Sequence, residues 1–226
     1  TPAEILDLSN WRLTLPIDTK HPGSPDEVEQ PELSTYFDHR YFFPHESGQA
    51  IVFRAHCGGG TTKGSRFPRC ELREMEAAGT ERAEWNTNGK EIHVLQMDVA
   101  ITATPARKQH VVCVQIHDAE DDLMMVRLEG KKLFIERNQV GDVPLDNEYH
   151  LGDRFRFKIE AGKGTVRVWH QEELKMTWLI SRKGCYFKAG CYTQSNPEKG
   201  DASESFGEVV IYNLQLEHLK PDPSID

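Results

Sequence analysis

The sequence predicts an all-β protein, a single-domain antiparallel β-sandwich or jelly roll with a binding cleft on one sheet. Strand-like runs follow one another along most of the chain, and long amphipathic helices are absent. Turn residues separate many of these runs, as in Glu129-Gly130-Lys131 and Ala161-Gly162-Lys163-Gly164, which are typical of hairpins. The 226 residues contain no Pro/Ser-rich linker and no internal repeat, so we expect one domain over residues 1–226.

The individual elements follow from these runs and the turn residues around them. The predicted strands are 50–56, 69–76, 91–101, 110–117, 123–128, 132–136, 154–161, 165–170, 174–179, 186–194 and 207–217. Short helices are predicted at 3–8 and around 31–37.

The predicted strand 186–194 has two chemically different faces, because successive side chains point to opposite sides of a strand. One face suits a core and consists of Phe187, Ala189 and Cys191. The other carries a cation, a phenol and an amide beside a glycine that lets a ligand approach the backbone: Lys188, Gly190, Tyr192 and Gln194. This second face is typical of the floor of a polar binding cleft.

Two earlier strands repeat this arrangement. The strand 69–76 places three charged side chains on one face, and the strand 110–117 places an amide and an imidazole on one face. These side chains are Arg69, Glu71 and Arg73 on the first strand and Gln115 and His117 on the second. Three polar faces of this kind indicate one shared cleft rather than solvated sheet surface.

At these residues the chain resembles a known family. Arg-x-Glu-Leu-Arg-Glu-Met, Gln-Ile-His and Tyr-Phe-Lys-Ala-Gly-x-Tyr-x-Gln, in this order, resemble the signature strands of the alginate lyases of polysaccharide lyase family 7. The opening Asn10-Trp11-Arg12-Leu13-Thr14-Leu15-Pro16 is similar to the start of those catalytic domains. Cys70 departs from the pattern, where the family more usually has Ser or Thr, but it lies on the inward face. The resemblance implies a jelly roll whose concave sheet forms the cleft.

The residue types also suit β-elimination from a polyuronate. Removal of the C5 proton requires that the neighbouring carboxylate be neutralised, and Arg69 and Gln115 supply the donors. His117 is the expected base, and Tyr192 is the expected acid for the departing O4 oxygen.

The surrounding polar residues are expected to bind substrate. Arg73 and Lys188 would contact carboxylates at neighbouring subsites, and Gln194 lies on the same predicted face. Glu71 stands between two arginines and is expected to orient them. We expect no metal and no cofactor.

The resemblance implies that one residue, Ile116, is associated with the choice between guluronate and mannuronate. In the resembled family, Ile between the Gln and His goes with activity on guluronate, and Val there goes with mannuronate. Ile116 faces the core, so it can act only by repositioning Gln115 and His117. The two uronates are C5 epimers, and guluronate suits a base and an acid on opposite sides of the ring. We therefore expect an endolytic, guluronate-preferring lyase.

Three alternatives stay open or are disfavoured at this point. A mannuronate-preferring or mixed lyase is the first alternative, and a non-catalytic carbohydrate-binding sandwich is the second. A glycoside hydrolase needs two carboxylates flanking the bond, and among the three polar faces only Glu71 supplies one.

Charge and hydropathy limit the partners. The net charge of −9 and pI near 5.6 argue against a nucleic-acid binder, whose footprint is normally basic. No apolar run is long enough to cross a bilayer, and the mean hydropathy is −0.60. The expected partner is alginate, an acidic polysaccharide, bound by a monomer.

The chain begins at Thr1 rather than Met, and we expect the mature form of a secreted protein. The acidic run 118–122 lacks EF-hand spacing, so we expect a solvated turn.

Two further segments carry expectations. Five cysteines leave at least one unpaired, and Cys57 and Cys70 flank a Gly-rich connection where a bridge would fit. Cys185 and Cys191 would lie about 20 Å apart in a continuous strand, beyond disulfide reach unless the chain bends. The connection 58–64 contains four glycines and is expected to be a mobile lid, with a loose surface connection as the alternative.

Overall fold

The computed structural model describes residues 1–221 and contains sixteen β-strands in them. In chain order these are β1 Trp11–Thr14, β2 Glu27–Val28, β3 Phe42–Pro44, β4 Ile51–His56, β5 Arg69–Glu76, β6 Glu81–Arg82, β7 Ile92–Ala103, β8 His110–His117, β9 Asp122–Glu129, β10 Lys132–Glu136, β11 Val143–Asp146, β12 Arg154–Gly162, β13 Thr165–His170, β14 Glu173–Leu179, β15 Tyr186–Thr193 and β16 Phe206–Leu219. Between them lie short 3₁₀ helices at Pro2–Glu4, Glu32–Ser34, Ala77–Gly79 and Pro197–Lys199.

The short helices predicted at 3–8 and 31–37 are therefore single 3₁₀ turns, and residues 1–221 contain no α-helix. In this part of the chain no helix has the length and apolar character needed to span a membrane.

The strands form two antiparallel sheets, which confirms the predicted sandwich. The first, here called the site sheet, has the order β11-β10-β9-β8-β15-β5-β1-β2, with β6 added to β5. The second, the back sheet, has the order β14-β13-β12-β7-β16-β4-β3. In the site sheet the three signature strands are neighbours, and β15 lies between β5 and β8 although it follows both in the chain.

The core lies between the sheets and contains the inward side chains that the alternation predicts. Leu72 of β5, Ile116 of β8 and Phe187 of β15 are each fully buried. From the back sheet, Phe53 packs edge-on against Phe42 with ring centroids 5.1 Å apart. Each such side chain stabilises the fold by about 1.5–3 kcal/mol on burial, so the opposite face of each site strand is held firmly outward.

A bulge in β8 and β15 re-aims the floor beside Tyr192. The pairing of β15 with β8 shifts between Ala189 and Tyr192, so that Tyr192 lies opposite Val112. Gly190 lies at this shift with φ 140°, and a Cβ there would come within 2.6 Å of the Cys70 carbonyl oxygen. Only glycine fits this position, and bulges of this kind commonly occur next to active sites.

The predicted bridge between Cys57 and Cys70 is not formed, and all five cysteines are free and buried. The physical reason is their placement, because Cys57 lies in the turn after the back-sheet strand β4 and Cys70 lies within the site sheet. Cys57 follows β4, and its backbone N–H donates to Ser205. Cys70 lies in β5 of the site sheet opposite Cys191, and its thiol donates to the Tyr41 carbonyl at 3.2 Å.

Candidate active site

The outer face of the site sheet carries a cleft of about 830 Å³. Its floor comes from β1, β5, β8 and β15, and its rim comes from the connections 62–65, 119–122 and residue 184. The lining residues from the predicted set are Arg69, Arg73, Gln115, His117, Lys188 and Tyr192. The structure therefore brings these six residues from three distant segments to one surface.

Glu71 lies beneath this floor and connects three of its members. Its carboxylate accepts hydrogen bonds from Arg69 Nη1 at 3.0 Å and from Gln115 Nε2, and it lies 2.6 Å from Lys188 Nζ. Burial would raise the pKa of Glu71, which is 1% exposed, but the charges of Lys188 and Arg69 lower it below the ordinary value. Glu71 is thus an ionised anchor that orients Arg69, one of the two arginines expected, together with Gln115 and Lys188, whereas Arg73 is not among its hydrogen-bond or ion-pair partners.

The floor holds an excess of positive charge. Burial, together with the neighbouring charge of Arg69, lowers the pKa of Lys188 to about 8 despite its contact with Glu71. Arg73 adds a further buried cation, and its guanidinium lies 3.9 Å from the centroid of the Tyr186 ring. Arg69 and Lys188 share the single carboxylate of Glu71, and among the described residues Arg73 forms no ion pair, so the floor carries positive charge that a substrate carboxylate would balance.

His117 is held in one tautomer by its neighbours. Its Nδ1 lies 2.6 Å from the backbone carbonyl oxygen of Asp118, which can only accept, so Nδ1 carries the proton. The Tyr186 hydroxyl lies 3.2 Å from the same nitrogen, and the two rings stack with centroids 5.4 Å apart. Burial is the main cause that lowers the pKa of His117, and Lys188 adds to it. A neutral imidazole with an unprotonated Nε2 is the form that can remove a proton.

Tyr192 is positioned by a cation and by the rim. The guanidinium of Arg69 lies 3.8 Å from the centroid of its ring, and its hydroxyl lies 2.9 Å from Ser65 Oγ. Along β15 the register places Lys188 opposite Gln115, with Tyr186 and His117 to one side and Tyr192 to the other. The expected base and acid therefore lie on opposite sides of the Lys188–Gln115 pair.

The connection 58–64 has a fixed base, so the prediction of few restraints is wrong for its first three glycines. Gly58 N–H donates to Ser203 and Gly60 N–H donates to Pro16, at 2.9 and 3.0 Å. A Cβ on Gly59 would come within 2.5 Å of the Pro16 oxygen, so glycine serves close packing here. Residues 62–65 alone reach the cleft, and their movement stays a prediction.

The acidic turn after β8 also lies at the cleft, which the sequence did not indicate. Residues 119–122 line the rim, and burial is the first cause that raises the pKa of Asp122 to about 6. Asn138 donates to the carboxylate of Asp122 at 3.0 Å. Among residues 1–221 no three His, Cys, Asp or Glu side chains are grouped as a metal would require.

A buried network supports the floor from the core side. Glu74 accepts from Trp85 Nε1 at 2.9 Å and from the Phe187 backbone N–H at 2.7 Å, and its other oxygen lies 3.0 Å from His218 Nε2. The Nδ1 atoms of His218 and His93 are 2.7 Å apart. The hydrogen bond to Glu74 raises the pKa of His218, and burial lowers that of His93 to about 4. These two histidines lie in different strands, and no local pattern in the sequence connects them.

Three residues depart from the expected set of cleft residues: Gln194, Tyr186 and Arg12. Gln194 is 6% exposed and is not among the cleft-lining residues, so its contact with substrate stays a prediction. Tyr186 lines the cleft and was missed, although the alternation that places Lys188 outward also places Tyr186 outward. The same rule applied to β1 would have found Arg12, which lies opposite Arg73 and 3.1 Å from Glu27.

Comparison with known proteins agrees with this geometry. A family model described as alginate lyase matches residues 6–218 of the chain. The solved structure of an alginate lyase from polysaccharide lyase family 7 is 49% identical, and the alignment covers 96% of this chain and 98% of that one with a TM-score of 0.92. The chain belongs to this family of alginate lyases. The family resemblance carried by the three signature strands is thereby confirmed.

Other members of the alginate lyase family extend the comparison. The alginate lyase structure from Corynebacterium sp. is 37% identical with a TM-score of 0.91, covering 96% of this chain and 97% of that one. A curated alginate lyase from Klebsiella pneumoniae is 32% identical over 79 residues. That match covers 34% of this chain and 26% of the length of the relative.

Proposed function

We propose that this protein cleaves the 1,4-glycosidic bond of alginate by β-elimination, acting within the polymer and preferring guluronate. The observation that carries the proposal is the neutral tautomer of His117, since it leaves Nε2 unprotonated at the cleft. Across the Gln115–Lys188 pair stands Tyr192, whose phenol can donate a proton. Family membership supports the same substrate and reaction.

The first step of the proposed reaction is neutralisation of the substrate carboxylate. Arg69 uses one Nη for Glu71, and Gln115 donates one amide N–H to the same carboxylate. Each retains further N–H groups, because a guanidinium has five donors and an amide has two. These donors stabilise the enolate-like charge that develops when the C5 proton leaves.

The proton transfers then balance the elimination. His117 Nε2 takes the C5 proton, the C4–O4 bond breaks with its electron pair on O4, and Tyr192 protonates that oxygen. The electrons of the C5–H bond form the C4=C5 double bond of the product. No water is consumed in this sequence, which separates it from hydrolysis.

Guluronate preference rests on the placement of acid and base. In guluronate the C5 proton and O4 lie on opposite faces of the ring, and His117 and Tyr192 lie on opposite sides of the Gln115–Lys188 pair along the sheet. Ile116 is fully buried and contacts no solvent, so its influence on specificity would be indirect. The cleft of about 830 Å³ is lined by four floor strands and by rim residues, and this extended surface supports binding of several sugar units of a polymer.

The decisive experiment uses separate guluronate-rich and mannuronate-rich polymers. We expect ultraviolet absorbance from the conjugated product to appear faster with guluronate blocks, together with a rapid fall in solution viscosity. Faster turnover of mannuronate blocks would refute the preference. Absorbance without a fall in viscosity would refute the endolytic mode.

A hydrolase or a binding module would give different products. Glu71 is buried and paired, so it cannot act as a glycosidase acid. Reducing ends without ultraviolet absorbance would establish hydrolysis and direct attention to the rim carboxylates, among which Asp122 has the raised pKa. Binding without either product would establish a binding module.

A further inference from the structure

A second depression, here called the basic depression, lies outside the cleft. It is about 560 Å³ in volume and is formed by the start of β8, the β9–β10 turn and the helix Pro197–Lys199. Its lining residues are Arg107, Lys108, Gln109, His110, Glu129, Gly130, Lys132 and Lys199. Four of these eight residues are lysines or arginines, in a chain with a net charge of −9.

The lysines and arginines of the basic depression lack carboxylate partners among the described residues. Among the described residues, no carboxylate lies within 4.0 Å of the charged nitrogens of four of them, which are Arg107, Lys108, Lys132 and Lys199. The carboxylate that lines the depression, Glu129, is already 2.6 Å from Arg127 and 3.2 Å from His110. Burial lowers the pKa of Lys108, and the charges of Arg127 and Lys199 lower it further. Like charges held together in this way are relieved by an anion.

The basic depression adjoins the Tyr192 end of the cleft. Lys108 Nζ lies 4.8 Å from the centroid of the Phe67 ring, and the Phe67 backbone N–H donates to Ser65 Oγ at 3.1 Å. Ser65 in turn contacts the Tyr192 hydroxyl. On the β8 side, the backbone N–H of Gln194, which follows β15, donates to the His110 carbonyl at 3.1 Å. A chain leaving the cleft past Tyr192 therefore meets the basic depression next.

We propose that the basic depression is an outer subsite that binds carboxylates of the same polyuronate chain, beyond the residues held in the cleft. The inference rests on the proposed function for the identity of the polymer. The favoured ligand is a polyuronate rather than a small anion, because the depression adjoins the Tyr192 end of a cleft whose floor carries cations for carboxylates. Its effect is to strengthen the binding of long chains without taking part in proton transfer.

The test removes two of the unpaired cations in one variant, Lys132→Ala/Lys199→Ala. Both side chains are exposed, and within residues 1–221 neither forms a side-chain hydrogen bond or ion pair, so folding should be unaffected. We expect the KM for polymeric alginate to rise about fivefold, the effect of losing two exposed ion pairs, with kcat unchanged. The KM for a trisaccharide should stay the same, and the difference for polymer should vanish at about 1 M salt.

A matched control keeps the change in net charge. Lys90→Ala/Lys163→Ala removes two exposed lysines that line neither the cleft nor the basic depression, and it should leave both KM values unchanged. The proposal would be overturned if the control raised the KM for polymer as much as the test variant does. It would also be overturned if the test variant left the KM for polymer unchanged, or raised the KM for the trisaccharide equally.

A binding measurement separates this proposal from the proposed reaction. In a Tyr192→Phe background without turnover, retardation in gels containing alginate should decrease when Lys132 and Lys199 are replaced. Unchanged retardation would overturn the subsite, whereas absence of an ultraviolet-absorbing product from the parent would overturn only the reaction. The alternative that the depression binds a small anion is tested by adding inorganic phosphate to the gel and comparing it with chloride at equal ionic strength. Selective loss of retardation with phosphate would assign the depression to phosphate and overturn the polyuronate subsite.

Discussion

Replacement of Glu71 by Gln is the sharpest perturbation of the site, because it keeps the shape of the side chain and removes one charge. Glu71 is 1% exposed and holds Arg69 at 3.0 Å and Lys188 at 2.6 Å. The amide of the variant is uncharged and leaves these two buried cations without their anion. The amide keeps a single acceptor oxygen, so an NH₂ group faces either Arg69 and Lys188 or Gln115.

The loss of stability depends on which of the two cations can lose its proton. Removing one partner of a buried ion pair costs about 3–5 kcal/mol. Lys188, whose pKa is already about 8, can lose its proton and limit its own penalty. Arg69 stays protonated, so the full free-energy cost of its buried, unpaired charge remains. We therefore expect Glu71→Gln to lower the free energy of unfolding by about 3 kcal/mol at pH 7.

Activity should fall further than stability alone explains. Arg69 loses its ionic partner or Gln115 loses its acceptor, and a misplacement of about 1 Å in either donor can cost about a hundredfold in rate. The assay pairs urea unfolding with initial rates from ultraviolet absorbance, at a temperature where the variant is folded. Glu76→Gln is the matched control, because Glu76 ends the same strand but is exposed, and it should change stability by less than about 0.5 kcal/mol. A Glu71→Gln variant within about 1 kcal/mol of the parent and with more than about a tenth of its rate would refute the ion-pair argument.

Three further predictions follow from the same geometry. Tyr192→Phe should fold normally and lose about 10²–10⁴-fold in kcat, and more than about a tenth of the parent rate at equal stability would exclude Tyr192 as the acid. The KM for alginate should rise as the pH passes about 8, where Lys188 loses its charge; a KM that is flat from pH 7 to about 9.5 would contradict this, and Lys188→Gln should show no such step. His218 has a raised pKa through Glu74, so it stabilises the fold fully below its ordinary pKa of about 6.5 and less as the pH rises through the raised value. The stability lost in His218→Gln should therefore be larger at about pH 6 than at about pH 9, whereas exposed His150→Gln should show little change at either pH, and a pH-independent loss would contradict the assignment.

The floor residues were predictable because strand alternation is a local property. The bounds of β5, β8, β10 and β13 match the predicted strands, and the outward residues of β5 and β8 are those that the alternation indicates. The strands β1, β2, β3, β6 and β11 were not predicted, since each has only two to four residues and exists through its pairing with a neighbour. The predicted bridge between Cys57 and Cys70 was wrong for a related reason, because spacing in the chain does not show that Cys57 follows a back-sheet strand while Cys70 lies in the site sheet.

By itself, the sequence determined the sandwich class, the three polar strand faces and the family, since all three depend on residue types at period-two spacing within short segments. The tertiary structure decided that β15 lies between β5 and β8, which brings Gln115 onto Glu71 across 44 residues of chain. It also decided the tautomer of His117 and the lowered pKa of Lys188. Charge states of this kind are set by burial and by neighbours from other strands, so they exist only once the sheet has assembled.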